Sequence, residues 1–246
     1  MISRVYSVGE CGRKAKWAHG RRGYRRATSP VRVAPLLPCC RRGRVGAAGM
    51  PPLKLVVFVG SCRTGRLAER LKRHVTSQLE KRGHQVSVID PEEEPNLLAV
   101  RKPLHFYGPD EAPPAWLGQL HETVKAAHGY LVLCPEYNRC IAPALGSAMD
   151  HFPPDSYRHK PCAIVAYTIG VGAGLAAAMQ LRSFLGELGM VTVPFVSLNA
   201  KVQTLVAEDG SASDDGFSER LAKLIGELEW YGAALRNHKE ACGPPV

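Results

Sequence analysis

The sequence predicts an α/β protein: a doubly wound, five-stranded parallel sheet with helices on both faces, in three layers. Two observations carry this expectation. From Leu53 onward, short continuous apolar runs alternate with segments whose apolar residues recur at helical spacing. The runs lack the in-out alternation of a half-solvated sheet, so they suit strands covered on both sides. In such sheets ligands bind beyond the carboxyl ends of the strands, where the strand order switches. That rule singles out three loops, 60–66, 135–141 and 168–174.

Each element follows in turn. "LKLVVFV" (53–59) predicts the first strand. Residues 64–82 place Leu67, Leu71, Val75 and Leu79 on one helical stripe, and Gly83 offers a stop. "QVSVI" (85–89) is a second strand. Residues 90–113, with five prolines and several acids, form a loop too long for a mere connector. A helix at 114–127 leads to the strand "GYLVLC" (129–134), and a helix at 142–151 is closed by Pro153 and Pro154. "PCAIVAY" (161–167) is the fourth strand, followed by glycine-rich "TIGVGAG" and a helix at 175–188. The last strand, "MVTVPFV" (190–196), contains Pro194, which belongs at a sheet edge or strand end. Residues 201–216 read as a mobile acidic loop, and 214–237 as a final helix turning Phe217, Leu221, Leu224 and Leu228 inward.

Charge is distributed unevenly over the 246 residues. The net charge is +10, yet residues 1–49 hold 12 Lys and Arg against one acid, Glu10. The remaining 20 Lys and Arg face 21 acids, so the body gives no sign of the basic face that nucleic-acid binding needs. The domain is expected to span 51–240, with 1–50 a disordered basic extension. An acid-poor transit peptide and a functional start at Met50 are the other readings of that segment. Location follows: cytoplasmic, or mitochondrial if 1–49 act in transit. No apolar run reaches the roughly 18 residues of a membrane span. Eight cysteines, without C-x-x-C spacing, suit a reduced protein without a metal site.

The first loop, GSCRTGR, raises the chemical question. Gly60 and Gly65 allow tight turning, and the following helix offers unpaired amides. Ser61, Arg63 and Arg66 add a hydroxyl and two guanidinium groups, a set suited to a phosphate dianion. A triphosphate loop would require Lys and a hydroxyl where Arg66 and Leu67 stand. A dinucleotide loop would require glycine at Cys62, and "GVGAGL" (170–175) ends on Leu175 where a third glycine belongs. Six positions after Cys62, Cys134, Cys140 and Cys162 stand Ala68, Cys140, Gly146 and Thr168, so no phosphatase cysteine–arginine pair exists there. A cradle for a terminal monophosphate survives.

"GSCRTGRLAERL", "PEYNRCIAPALGSAMDHF" and "YTIGVGAGLAAAMQLRSFLGELGM", in this order, resemble the NAD(P)H-dependent FMN reductase family of flavodoxin-like proteins, over about residues 53–200. The resemblance implies FMN as cofactor and NADPH or NADH as co-substrate. It implies phosphate contacts from Ser61, Arg63 and Arg66. It lays Pro135, Glu136, Tyr137 and Asn138 along the flavin ring, with backbone amides facing flavin polar atoms. The third loop, through Thr168, Gly170 and Gly172, would complete the cofactor site. Arg66 and Ala68 stand where many members carry Ser and Asn, and "LGSAMDH" (145–151) differs from the usual L-K-N-A-x-D-W. Tyr167, Thr168, Ile169 and Ala176 replace the family's frequent Ser, Tyr, Gly and Arg, and bear on nicotinamide handling more than on flavin binding.

The implied function is hydride transfer from a nicotinamide nucleotide through FMN to quinones or similar small acceptors, with no essential acid or base from the chain. A non-catalytic flavin binder that has lost nicotinamide access is the alternative. His151 and His159 read as solvated or structural, and His74 and His84 as surface residues. Asp150 reads as a structural cap or pair. Related proteins imply a homodimer or a dimer of dimers, with no membrane partner.

Overall fold

The computed structural model describes residues 51–245. The expected basic extension, 1–50, lies outside the described residues.

Five strands form one parallel sheet: β1 (Lys54–Val59), β2 (Gln85–Ile89), β3 (Gly129–Pro135), β4 (Pro161–Tyr167) and β5 (Val191–Asn199). Their spatial order is β2-β1-β3-β4-β5, so the switch point lies between β1 and β3. Alternate residues of β1 divide the core. Val56 and Phe58 face one layer of helices, while Leu55, Val57 and Val59 face the other. Helices α2 (Ala115–Ala126), α3 (Pro143–Asp150) and α4 (Leu175–Glu187) cover the first face. Helices α1 (Ala68–Lys81) and α5 (Asp215–Cys242) cover the second. The arrangement is the flavodoxin-like α/β fold expected from the sequence.

The helix stripe read at 64–82 is realised from Ala68, with Leu71, Val75 and Leu79 fully buried. Gly83, at φ +85°, ends α1. Its N–H donates to Glu80 O at 2.8 Å and His84 N–H to Leu79 O at 3.2 Å, which closes the last turn. Strand β5 is an edge, as Pro194 requires, and its register against β4 shifts between Cys162 and Ile164. Arg182 of α4 satisfies the carbonyls left there, donating to Val193 O at 3.0 Å and Pro194 O at 2.6 Å.

Three expectations are corrected. His74 and His84 are buried, not surface residues. His84 Nδ1 accepts from Leu53 N–H at 3.3 Å, so its other ring nitrogen carries the proton and donates to Glu229 at 2.9 Å. His74 Nδ1 lies 2.9 Å from Gly210 O. That bond docks the 201–216 segment, whose Val202, Leu205 and Val206 are buried in the α1–α5 layer. The acidic composition hid a packed apolar underside. Asp150 is exposed and makes no side-chain hydrogen bond among the described residues.

Candidate functional site

The three loops named by the sheet rule converge on one cleft of about 340 Å³ at the carboxyl end of β1, β3 and β4. That lies within the usual range for small-molecule pockets. Ser61, Arg63, Arg66, Pro135, Glu136, Tyr137, Asn138 and Thr168 line it. Gly170 and Gly172 do not: their segment is drawn toward β5 by Lys201 N–H donating to Gly170 O at 3.1 Å. Thr64, Gly65, Leu67, Tyr167, Ile169 and Val202 line the cleft without having been singled out for it.

The first loop is held at its root and open at its tip. Gly60 N–H donates to Leu133 O at 2.9 Å, and a Cβ at Gly60 would lie 2.7 Å from that same oxygen. Only glycine lets the loop leave β1 so close to β3. Arg66 N–H turns back to Arg63 O at 3.1 Å. The amides of Cys62, Arg63, Thr64 and Gly65 have no acceptor among the described residues. No side chain caps the start of α1, where Leu67 is the N-cap residue. Free amides at an uncapped helix start form a ready anion site.

The two arginines of this loop are in different situations. Arg66 is nearly enclosed, its side chain 7 % exposed, and its guanidinium meets the fully buried Asp90 carboxylate at 2.5 and 2.6 Å. It also donates to Ser61 O at 2.5 Å. Burial opposes the charge on Asp90, but hydrogen bonds from Arg66, Glu92 N–H and Lys72 outweigh it and hold the carboxyl below its ordinary value. Arg66 therefore braces the loop, with its donors turned to protein groups. Arg63 is exposed, and its side chain makes no hydrogen bond or ion pair among the described residues. Its guanidinium carbon rests 3.5 Å from the centroid of the Tyr137 ring. The Tyr137 hydroxyl in turn shares a 2.6 Å hydrogen bond with Ser61 Oγ.

The second loop is a two-residue hairpin. Asn138 and Arg139 both adopt left-handed φ, 52° and 64°, as a type I′ turn requires. Tyr137 and Cys140 exchange their backbone hydrogen bonds at 3.1 and 3.0 Å. Glu136 N–H donates to Tyr167 O at 3.0 Å. Of this loop's amides, those of Asn138 and Arg139 have no acceptor among the described residues. The Glu136 carboxylate faces away from this role: it accepts from Ala176 N–H at 2.9 Å and Ala177 N–H at 3.2 Å, capping α4. Gly174, at φ +81°, lets the third loop enter α4 beneath Tyr167, where a Cβ would lie 2.7 Å from Tyr167 N.

A parallel sheet in this strand order, with an amide-lined anion cradle beside a short hairpin at the switch point, defines a flavodoxin-like nucleotide-binding protein. A model of the NADPH-dependent FMN reductase family matches residues 53–204, and the chain belongs to that family. It is 23% identical over 197 residues to an NADPH azoreductase from Bacillus sp. (strain OY1-2), spanning 78% of this chain and 99% of that protein. It is 22% identical over 199 residues to the NADPH-dependent FMN reductase ArsH of Shigella flexneri, spanning 79% and 74%. Among solved structures it is similar to FerB, a flavoenzyme NAD(P)H:(acceptor) oxidoreductase from Paracoccus denitrificans. That comparison gives a TM-score of 0.57 at 22% identity, covering 73% of this chain and 97% of that one.

Membership brings FMN as cofactor and NAD(P)H as co-substrate. The residues present fit that group: free amides and an unpaired guanidinium suit its phosphate, and the free hairpin amides suit polar ring atoms. No helix among the described residues is long and apolar enough to cross a membrane.

Proposed function

We propose that the protein passes a hydride from NADPH or NADH through FMN to quinones or similar small acceptors. The observation that carries this reading is that Arg63, Thr64 and Gly65 of the first loop and Asn138 of the hairpin, whose amides have no acceptor among the described residues, line one cleft. When bound, FMN supplies the hydride chemistry, and the chain binds and orients.

Ser61, Arg63 and the amides of 62–65 hold the phosphate. Arg63 leaves the Tyr137 ring to do so, which frees that ring for the flavin. Arg66 acts one step back, fixing the loop through Asp90. The free amide of Asn138 would face the flavin's polar ring edge, where a donor would stabilise the negative charge of the reduced ring. No acid or base is assigned. His151 lies outside the cleft lining and its Nδ1 is 2.7 Å from Ser147 O, a structural contact.

Residues 51–240 act as one FMN reductase domain, with 1–50 an extension dispensable for flavin binding, and the protein works in the cytoplasm. A chain begun at Met50 should retain FMN as well as the full chain does. The exposed side chains of Ile169, Val171, Leu175 and Met179 support a homodimer that covers them, measurable by light scattering.

The test of the activity is reconstitution with FMN, followed by NADPH and NADH oxidation with a quinone, an azo dye or free FMN as acceptor. Turnover with a quinone supports the reading. Flavin binding without oxidation of either nucleotide would favour the second reading, a flavin binder without nicotinamide access. That reading draws on Ile169, 70 % exposed where the family often has glycine, and on Ala176 in place of its frequent arginine.

A further inference from the structure

We propose that the Tyr167 hydroxyl is a ligand of the FMN phosphate, a contact specific to this chain's fourth strand.

Tyr167 is the last residue of β4, paired in register with Pro135 of β3 and Asn199 of β5. It therefore stands at the level where the strands give way to the three loops. It follows Ala163 and Val165 on the sheet face that carries α1. Its side chain thus lies on the side of the first loop, and it lines the same cleft as Ser61, Arg63 and Arg66.

The residue is 5 % exposed, and its hydroxyl has no hydrogen-bond partner among the described residues. Buried polar groups are almost always satisfied, so an orphan at a ligand cleft points to the ligand. The Ser61 hydroxyl is near enough for a weak hydrogen-bond interaction that favours the ionised phenol, but the two do not meet in hydrogen-bond geometry, and Ser61 makes its short bond to Tyr137. Arg66 carries only donors and spends them on Asp90, Glu69 and Ser61 O. Burial pushes the phenol well above its ordinary value, with Tyr137 and Cys134 adding to the effect. The group stays protonated and serves as a donor. A dianion set among free amides is the acceptor such a donor requires, and the amides of 62–65 mark its place.

The inference rests on the phosphate assignment to the first loop, and the experiment separates the two. Tyr167→Phe, Arg63→Ala and the unaltered chain are stripped of flavin and titrated with FMN and with riboflavin by fluorescence. Thermal unfolding of the flavin-free proteins is recorded alongside. Tyr167→Phe should weaken FMN roughly tenfold or more, leave riboflavin unchanged, and leave the flavin-free unfolding temperature level or raised, since it removes an unsatisfied hydroxyl. Unchanged FMN affinity overturns the inference. So does an equal loss for riboflavin, which would move the contact to the ribityl chain, or a lowered unfolding temperature, which would make the hydroxyl structural. If Arg63→Ala loses FMN and Tyr167→Phe does not, only the tyrosine ligand falls. If neither loses it, the first-loop assignment falls as well.

Discussion

Both terminal nitrogens of Arg66 meet both carboxylate oxygens of Asp90, at 2.5 and 2.6 Å, and so tie the end of β2 to the loop after β1. The two residues are remote in sequence, and strand pairing makes them neighbours. Asp90→Asn leaves the enclosed guanidinium without its buried bidentate partner, with only the longer 3.3 Å pair to Glu69 to offset its charge. We expect a loss of about 3 kcal/mol in denaturant unfolding. Arg63→Ala, by contrast, should leave stability within about 0.5 kcal/mol and weaken FMN roughly 10–150-fold. Equal effects of the two substitutions on flavin retention would contradict the division between brace and ligand.

The same pair sets an acid limit. The folded protein holds the Asp90 proton more weakly than the unfolded chain does, because Arg66, Glu92 N–H and Lys72 outweigh burial. Its contribution is thus fully present above the ordinary value of 3.8 and is lost as pH falls through the lower folded value. Unfolding temperatures of the protein and of Asp90→Asn, compared from neutral pH downward, should differ by a constant gap that narrows only in strong acid.

Lys160 predicts a slope of the same sign at the alkaline end. Burial, then repulsion from Lys239 and Lys125, pulls its ammonium down to about 8. The folded state releases this proton before the unfolded chain does, near 10.5. Stability should therefore rise between those values, by at most about 3 kcal/mol, relative to Lys160→Met. Parallel pH profiles for the two proteins would remove Lys160 as the cause.

Gly60 allows no side chain. A methyl there would sit 2.7 Å from both Leu133 O and Pro135 Cδ. Gly60→Ala should cost about 1–3 kcal/mol and shift the first loop off its cradle. The expected readout is weaker FMN binding together with a lower unfolding temperature. Preserved affinity would mean the loop root yields without moving its tip.

Glu136 caps α4 from another loop. Glu136→Gln keeps the shape and loses the charge that favours the helix start, a cost of about 0.5–2 kcal/mol. The Michaelis constant for the nicotinamide nucleotide should rise more than the FMN dissociation constant. A change confined to FMN affinity would instead place Glu136 against the cofactor.

Much of this molecule is written locally. The runs at 53–59 and 161–167 and the stripe through Leu71, Val75 and Leu79 depend on neighbours a few positions away. The loops GSCRTGR and PEYN could be named for the same reason. What the sequence hides are partnerships made by the sheet. Asp90 is one carboxylate among several in an acidic stretch until β2 pairs with β1. His84 reads as a surface residue because Glu229, its partner, lies on α5. Residues 201–216 look solvated because their apolar residues are few, yet Val202, Leu205 and Val206 all turn inward. Glu136 reads as a flavin neighbour from its place in PEYN and lines the cleft, but the α4 amides its carboxylate also caps are out of view in the chain.

That carboxylate has a practical implication for redesign. Since the hairpin after β3 clamps the first turn of α4, the two cannot be exchanged separately. A transplanted glycine-rich segment taken from another reductase would arrive without its anchor, and its host hairpin would be left with a stranded charge. Chimeras intended to alter coenzyme preference should swap both pieces as a single cassette.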